Sequence, residues 1–327
     1  MLVLFVFMIL LASLLLGGLI WVIIPGNIHR VPLSGLFFLI TISLIIGTIL
    51  AAILGDYFLR PLRNLIKATK EVAGGNFNVY VESKGSNELV RLTKSFNEMA
   101  KELASIETLR TDFVSNISHE FKTPITSIKG FAKRLLKNHL TEEQKAEYLQ
   151  IIISESERLS RLSSNILLLS NLESHASDSE REEYLLDEQL RKIILILEPQ
   201  LQKHMIDTEI SLESVRICAN EELLHHVWLN LLDNAIKFSN PGGTVSILLK
   251  AENNKITVTI ADNGVGMDSG VRKRMFEKFY QAEPSRATDG NGLGLALVKK
   301  ILDIENGTVC ADSVPGGGTV FAVEFGS

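Results

Sequence analysis

Cysteine is nearly absent. The 327-residue chain has two, Cys218 and Cys310, far apart and without paired metal-ligand spacing, which argues against a disulfide framework or a zinc site. Both read as buried small apolar residues of a reducing compartment. A basic excess is lacking too. With 33 Lys and Arg against 38 Asp and Glu, the formal net charge is −5, so nothing favours nucleic-acid binding. Charge is missing altogether from Met1 to Ile24 and from Gly35 to Gly55. At about 1.5 Å per residue each stretch reaches the roughly 30 Å of a bilayer core. The first has no basic start and no small-residue exit, so it does not read as a cleaved signal.

Two spans, 1–24 and 35–55, put both ends of the chain on one side of a membrane. Arg60, Arg63, Lys67 and Lys70 follow the second span, against Arg30 alone in the connection, which places the bulk of the chain in the cytoplasm. The connection 25–34 is too short for a folded extracytoplasmic domain. The stimulus is therefore expected within the membrane or through a laterally bound partner protein.

What is present centres on Ser118-His119-Glu120-Phe121-Lys122-Thr123-Pro124. Apolar residues recur around it at Ile106, Leu109, Phe113, Ile117, Phe121, Ile128, Phe131 and Leu135, the seam of a packed helix. His119 lies about 200° around the helix from Ile117, away from the seam. Thr123 falls one turn on, on the same face, and Pro124 is expected to bend the helix there. The helix reads to about Asn138. Thr141-x-x-Gln144 is a capping box that restarts a helix, continued by Tyr148, Ile152, Leu159, Leu162, Ile166 and Leu169. Such a hairpin cannot bury its seam alone, so a four-helix bundle made by a homodimer is expected. Residues 174–183 are polar and read as a hinge linker.

Upstream, Pro61 precedes an amphipathic run through Leu62, Leu65, Ile66 and Val72. A Gly74-Gly75 break follows, then a helix from about Glu88 carrying Leu89, Leu92, Phe96, Met99 and Leu103. Downstream of about Tyr184 the pattern changes to helices (about Asp187–Lys203, Glu221–Phe238, and from Leu293) and short alternating strands (Ile206–Leu212, Val215–Ala219, Thr244–Ala251, Ile256–Ala261, and near Val309 and Val320). That order suggests an α+β sandwich.

Within it, Asn230, Asn234 and Lys237 share a helical face; amide oxygens suit Mg²⁺ and an ammonium suits phosphate. Asp262-Asn-Gly264-Val-Gly266-Met267 follows a strand, where a carboxylate can accept a hydrogen bond from an adenine amino group and glycines let backbone approach the base. Phe276-Glu-Lys-Phe279-Tyr280 offers aromatic packing. Gly290-Asn-Gly292-Leu293-Gly294 opens a helix whose N–H groups can hold phosphate. Gly316-Gly317-Gly318-Thr319 adds a late turn. Singly, each of these is as ordinary as a turn; the ordered set is not.

The His119 box resembles the phospho-acceptor box of bacterial membrane sensor histidine kinases of two-component systems. Residues 51–105 are similar to a HAMP linker, 106–174 to the dimerisation and histidine phosphotransfer domain, and 184–327 to the GHKL (Bergerat) ATP-binding domain. The resemblance implies a multidomain, multi-pass cell-membrane protein: two transmembrane helices, a helical linker, a dimeric four-helix acceptor bundle and an α+β ATPase sandwich. It further implies ATP and Mg²⁺ as cofactors. Asn234 is the chief Mg²⁺ ligand, with Asn230 beside it, and Asp262 is the adenine reader. Gly264, Gly266, Lys237, Tyr280, Gly290, Gly292, Leu293 and Gly294 line the nucleotide, with 281–291 as a lid. His119 accepts the phosphoryl group, Glu120 and Thr123 assist, and an aspartate of a separate response regulator receives it, since no receiver pattern is present.

Departures stand beside the match. Gln281 takes the place of a basic residue, leaving Lys278 or Arg286 to supply charge to the phosphates. Glu305-Asn306-Gly307 replaces His-Gly-Gly, a change expected to affect only a turn. Three other readings are a GHKL ATPase doing conformational work, a membrane pseudokinase scaffold, and a kinase acting mainly as a phosphatase. The His119 box and membrane hairpin argue against the first, and intact Asn234, Asp262, Gly292 and Gly294 against the second.

Overall fold

The computed structural model describes residues 14, 33–83, 87–136, 140–174, 180–281 and 291–326. The expected span 1–24 lies outside them apart from position 14, as does the connection 25–34 apart from its last two residues. Residues 35–55 fall in helix α1 (Leu33–Ala73), whose Phe37, Phe38, Ile45, Ile46, Ile49 and Ile53 are exposed. Among the described residues no helix is long and apolar enough to cross a membrane; several side chains of 35–55 lie outside the described set.

The chain divides into two compact units, Met1–Asp112 and Phe113–Ser327. In the first, α1 closes on Gly74 and Gly75. Gly75 takes φ +90°, its N–H bonds Val72 O at 3.0 Å, and Asn76 N–H bonds Glu71 O at 3.0 Å. This is a Schellman cap, which needs a residue that tolerates the left-handed region. Leu65, Ala68, Val81, Phe96 and Ala100 form its core. Asn97, on α2 (Asn87–Leu135), bonds both the N–H (3.0 Å) and the carbonyl (2.9 Å) of Val81, pinning the connecting segment.

The second unit begins with the rest of α2, in which Pro124 is buried, and α3 (Glu142–Ser174). The capping box forms in both directions: Gln144 N–H donates to Thr141 Oγ1 at 3.2 Å and Thr141 N–H to Gln144 Oε1 at 3.1 Å. Next come β1 (Glu182–Leu185), α4 (Leu186–Lys203), β2 (Asp207–Leu212), β3 (Arg216–Ala219), α5 (Glu221–Phe238), β4 (Thr244–Glu252), β5 (Lys255–Asp262), α6 (Ser269–Arg274), α7 (Gly294–Ile304), β6 (Gly307–Ser313) and β7 (Thr319–Gly326).

A five-stranded sheet runs β2-β4-β5-β7-β6, parallel only between β2 and β4, and β1 pairs β3 apart from it. Alternation puts Val245, Ile247 and Leu249 of β4, and Ile256, Val258 and Ile260 of β5, into the core. There they meet Leu190 and Ile193 of α4, Trp228 and Leu231 of α5, and Leu297 and Ile301 of α7. This is the two-layer arrangement that the strand and helix order called for. Strand β1 is new: it occupies the end of the segment read as linker.

Both cysteines are exposed, not buried. Cys218 and Cys310 sit at outward positions of alternating strands β3 and β6; composition alone carries no information about which strand face a residue takes.

Candidate active site

Helix α5 starts from an N-cap, Asn220 Oδ1 accepting from Leu223 N–H at 2.9 Å. One face of it carries the expected cation and phosphate ligands. Asn230 is half-buried, and its Nδ2 donates to His226 O at 2.7 Å. Its Oδ1 lies so close to Gly294 that a Cβ there would come within 2.5 Å. Asn234 and Lys237 follow on the same side, both half-buried, with the Lys237 ammonium 5.5 Å from the Phe238 ring centroid.

The end of α5 abuts the loop after β5. Val265 N–H donates to Phe238 O at 3.2 Å. A Cβ on Gly264 would fall 1.9 Å from Phe238 O, one on Gly266 2.0 Å from Val314 O, and one on Gly318 1.9 Å from Asp262 O. At each of these glycines a side chain would collide with the protein's own backbone. Gly266 and Gly318 also sit at φ +65° and +81°, a region that costs a side chain about 1 kcal/mol or more.

Asp262, only 9% exposed, ends β5 opposite Thr319 of β7. Its Oδ1 accepts the Gly264 N–H at 2.9 Å. Burial pushes its carboxyl above the usual range, and the N–H groups of Gly264 and Thr319 pull it back. Ser313 braces the same corner: its hydroxyl accepts from Met267 N–H at 2.8 Å and donates to Gly318 O at 2.8 Å.

The aromatic segment and the glycine loop meet directly. Phe279 N–H donates to Gly292 O at 2.8 Å, and both residues have positive φ, +62° and +65°. Leu293 is fully buried, and its N–H, expected to face phosphate, bonds Asn291 Oδ1 at 3.1 Å. Tyr280 is half-buried, with the Arg274 guanidinium 4.4 Å from its ring centroid. Gly290 and Arg286 lie outside the described residues.

These parts fit a nucleotide. A buried carboxylate at a strand end, amide groups one turn apart, and a glycine-opened helix converge through the contacts Asn230–Gly294, Phe238–Gly264 and Phe279–Gly292. The Lys278 ammonium is paired with Glu173 of α3 and lies 5.2 Å from the Phe113 ring centroid, a partly exposed pair on the helical hairpin. Phe279 packs against Phe113 as well, the rings tilted by 60° with centroids 5.5 Å apart. This docks the catalytic segment about 9 Å along α2 from His119.

His119 is exposed. Glu120 is half-buried and pairs with Arg158 of α3, Oε2 to Nη2 at 3.2 Å. Thr123 is exposed and its hydroxyl points back at His119 O, 3.4 Å away.

Arg158 and Ser313 were missed from sequence, and Glu305 was read only as part of a turn. Glu305 does far more than shape a turn. Its side chain is fully buried and pairs with Arg181 Nε at 3.2 Å. It also accepts from Asn220 N–H at 3.4 Å, while Arg181 Nη2 donates to Ile304 O at 2.8 Å. The departure from His-Gly-Gly was the only signal available.

Residues 219–326 match the family described as histidine kinase-, DNA gyrase B-, and HSP90-like ATPase. Residues 109–175 match the His Kinase A (phospho-acceptor) domain, and 53–105 the HAMP domain. The chain is 33% identical over 287 residues to the heme sensor protein HssS of Staphylococcus saprophyticus, covering 88% of this chain and 62% of the relative. It is 31% identical over 274 residues to HssS of Staphylococcus aureus, covering 84% and 58%. It thus spans about three-fifths of the length of the curated relatives it matches. The fold is similar to that of the Acinetobacter baumannii histidine kinase AdeS (TM-score 0.53, 23% identity, 64% of this chain and 97% of that one). It is similar also to histidine kinase ThkA, solved in complex with response regulator protein TrrA (TM-score 0.54, 23% identity, 68% and 63%).

Proposed function

Because this chain belongs to the sensor histidine kinases of two-component systems, we propose that it uses ATP to phosphorylate His119 and passes the phosphoryl group to an aspartate of a separate response regulator. The observation that carries this is an exposed imidazole beside a carboxylate, on the same hairpin against which Lys278 and Phe279 rest. One ring nitrogen forms the N–P bond as the bond from the γ-phosphorus to the ADP oxygen breaks, and ADP leaves with that electron pair. Glu120 holds the proton of the other ring nitrogen and stabilises the charge that develops. Asp262 reads the adenine. Asn234, with Asn230, would hold Mg²⁺, which supplies neutralisation of phosphate charge when bound. Lys237 and the α7 N-terminus complete the phosphate site. Catalysis is then mostly positioning and electrostatics.

Homodimerisation is supported by the hairpin's Val114, Ile125, Leu149, Ile153 and Leu167, all exposed in the single chain, an apolar set that a second copy would cover. Membrane attachment through the N-terminal apolar runs, with the catalytic part cytoplasmic and a laterally associated sensor partner, belongs to the same reading. It is supported by the HAMP match and the exposed apolar face of α1; release of the chain from membranes by alkaline carbonate would refute it. A phosphatase activity is also proposed, with Thr123 orienting water against the regulator's aspartyl phosphate. Thr123→Ala should slow dephosphorylation and spare autophosphorylation; equal loss of both would sink that assignment.

The deciding experiment is incubation with γ-labelled ATP and Mg²⁺ beside a His119→Gln control. Acid-labile, base-stable label that disappears in the control is the expected result. ATP binding without label would leave a scaffold.

A further inference from the structure

Glu120 is held from across the hairpin. Arg158 Nη2 lies 3.2 Å from Glu120 Oε2, and Arg158 Nη1 lies 3.9 Å from Glu155 Oε2. The three side chains are 28%, 21% and 22% exposed respectively, so the trio is shielded although His119 beside it is not. Glu155 Oε2 is buried and makes no hydrogen bond. A buried carboxylate oxygen in that condition is tolerated only beside compensating charge, and the guanidinium supplies it. Arg158 is thus gripped between two carboxylates on a planar fork that can serve both.

We propose that Arg158 is a positioning residue for phosphoryl transfer to His119: it fixes the Glu120 carboxylate where that group takes the N–H of the imidazole. The inference rests on the reading of Glu120 given above. The logic is that of a reacting group oriented by a second residue that a third holds in place. Two physical effects act through the one contact. The guanidinium occupies Glu120 Oε2 and restricts the side chain, leaving Oε1 as the acceptor for the ring N–H. Its positive charge also offsets the repulsion between the Glu120 carboxylate and a triphosphate arriving at the adjacent residue. Glu155 restrains Arg158 from its far side. Neither effect concerns binding of the nucleotide, which is held by α5, α7 and the loop after β5, so loss of Arg158 should appear in kcat and not in KM for ATP.

The test measures initial rates of His119 phosphorylation across ATP concentrations, with the full chain reconstituted in vesicles, for Arg158→Gln, Arg158→Lys, Glu120→Gln and the Glu120→Gln/Arg158→Gln double variant. Arg158→Gln is expected to lower kcat about tenfold at unchanged KM, a fraction of what a positioned acid–base group contributes. Arg158→Lys, which restores the charge, should recover to within about threefold of the native rate. The double variant should be no slower than Glu120→Gln alone, because Arg158 acts only through Glu120. A native rate for Arg158→Gln, a raised KM, full additivity in the double variant, or a lysine variant as slow as the glutamine one would each overturn the proposal. A native rate for Glu120→Gln would instead remove the reading of Glu120 on which it stands. Should Arg158→Gln fail to fold, Arg158→Lys decides alone: a loss beyond about tenfold, or any change in KM, overturns the positioning role.

Discussion

Removing Arg181 should unsettle the ATPase domain through a residue it leaves behind. Glu305 has a fully buried side chain, whereas Arg181 is 37% exposed. Arg181→Ala takes the guanidinium away from that buried carboxylate. Breaking a buried pair from one side costs about 3–5 kcal/mol. Arg181 is reachable by water, so the lower end applies, about 3 kcal/mol, including the hydrogen bond to Ile304 O worth about 1 kcal/mol net. Glu305→Gln should cost less, about 1–2 kcal/mol, since an amide can still accept from Asn220 N–H and no buried charge is left unpaired. The double variant should then be more stable than the sum of the singles predicts, by about 2 kcal/mol. Urea unfolding reports this through the fluorescence of Trp228, which is fully buried in the same domain, in a Trp21→Phe background. Additive single effects would show that Arg181 and Glu305 do not act as a pair. The consequence reaches the site, because Glu305 touches Asn220, the N-cap of the helix that carries Asn230 and Asn234.

Gly294→Ala should weaken ATP binding by on the order of tenfold, the effect of about 1.4 kcal/mol. Its Cβ would lie 2.5 Å from Asn230 Oδ1, while Gly130→Ala, with nothing within 4 Å, should bind normally in the same fluorescent-nucleotide titration. Asp262→Asn should abolish nucleotide binding and yet raise the melting temperature at neutral pH. The folded carboxyl holds its proton above its ordinary 3.8 because of burial, so its contribution to stability is full below the unfolded value and lost as pH rises through the folded one. The advantage of the asparagine variant should shrink as the pH is lowered, and a pH-independent difference would refute the argument. Gln189→Leu should cost about 3 kcal/mol in denaturant unfolding. It orphans Trp228 Nε1 (3.0 Å), the Tyr184 hydroxyl (3.1 Å) and Glu221 O (2.6 Å); a loss under about 1 kcal/mol would mean that water replaces the side chain.

Local spacing made much of the molecule legible. The Thr141/Gln144 cap, the Gly74-Gly75 break, and the common face of Asn230, Asn234 and Lys237 depend on three- and four-residue repeats of one helix, and backbone geometry sets those for any chain that forms it. The alternating runs that became β4 and β5 were read too, though not the two-residue turn between them, where Asn253 and Asn254 both take positive φ, as such a turn requires. Helical periodicity also marked His119 as pointing away from the seam. The faces of Cys218 and Cys310 were misread because cysteine's usual preference for burial was followed in place of the strand alternation, which turns both outward.

The remaining assignments came from packing. Arg158 lies 38 residues from Glu120, and Ser313 lies 46 from Met267. Nothing in the intervening chain specifies either approach. Lys278 shows the difference most plainly. By sequence it was a cation near a phosphate site, but the fold sets it against Glu173 and Phe113, since an ammonium goes to the nearest carboxylate the packed helices present. Packing also sets the carbonyls of Phe238, Val314 and Asp262 against Gly264, Gly266 and Gly318, close approaches that the glycine pattern alone did not specify. Sequence by itself determined which side-chain chemistries are present and on which helix or loop each stands, because those properties are covalent and local. Only the tertiary structure decided which charge meets which, because an ion pair depends on distance and burial between segments that the chain order leaves free.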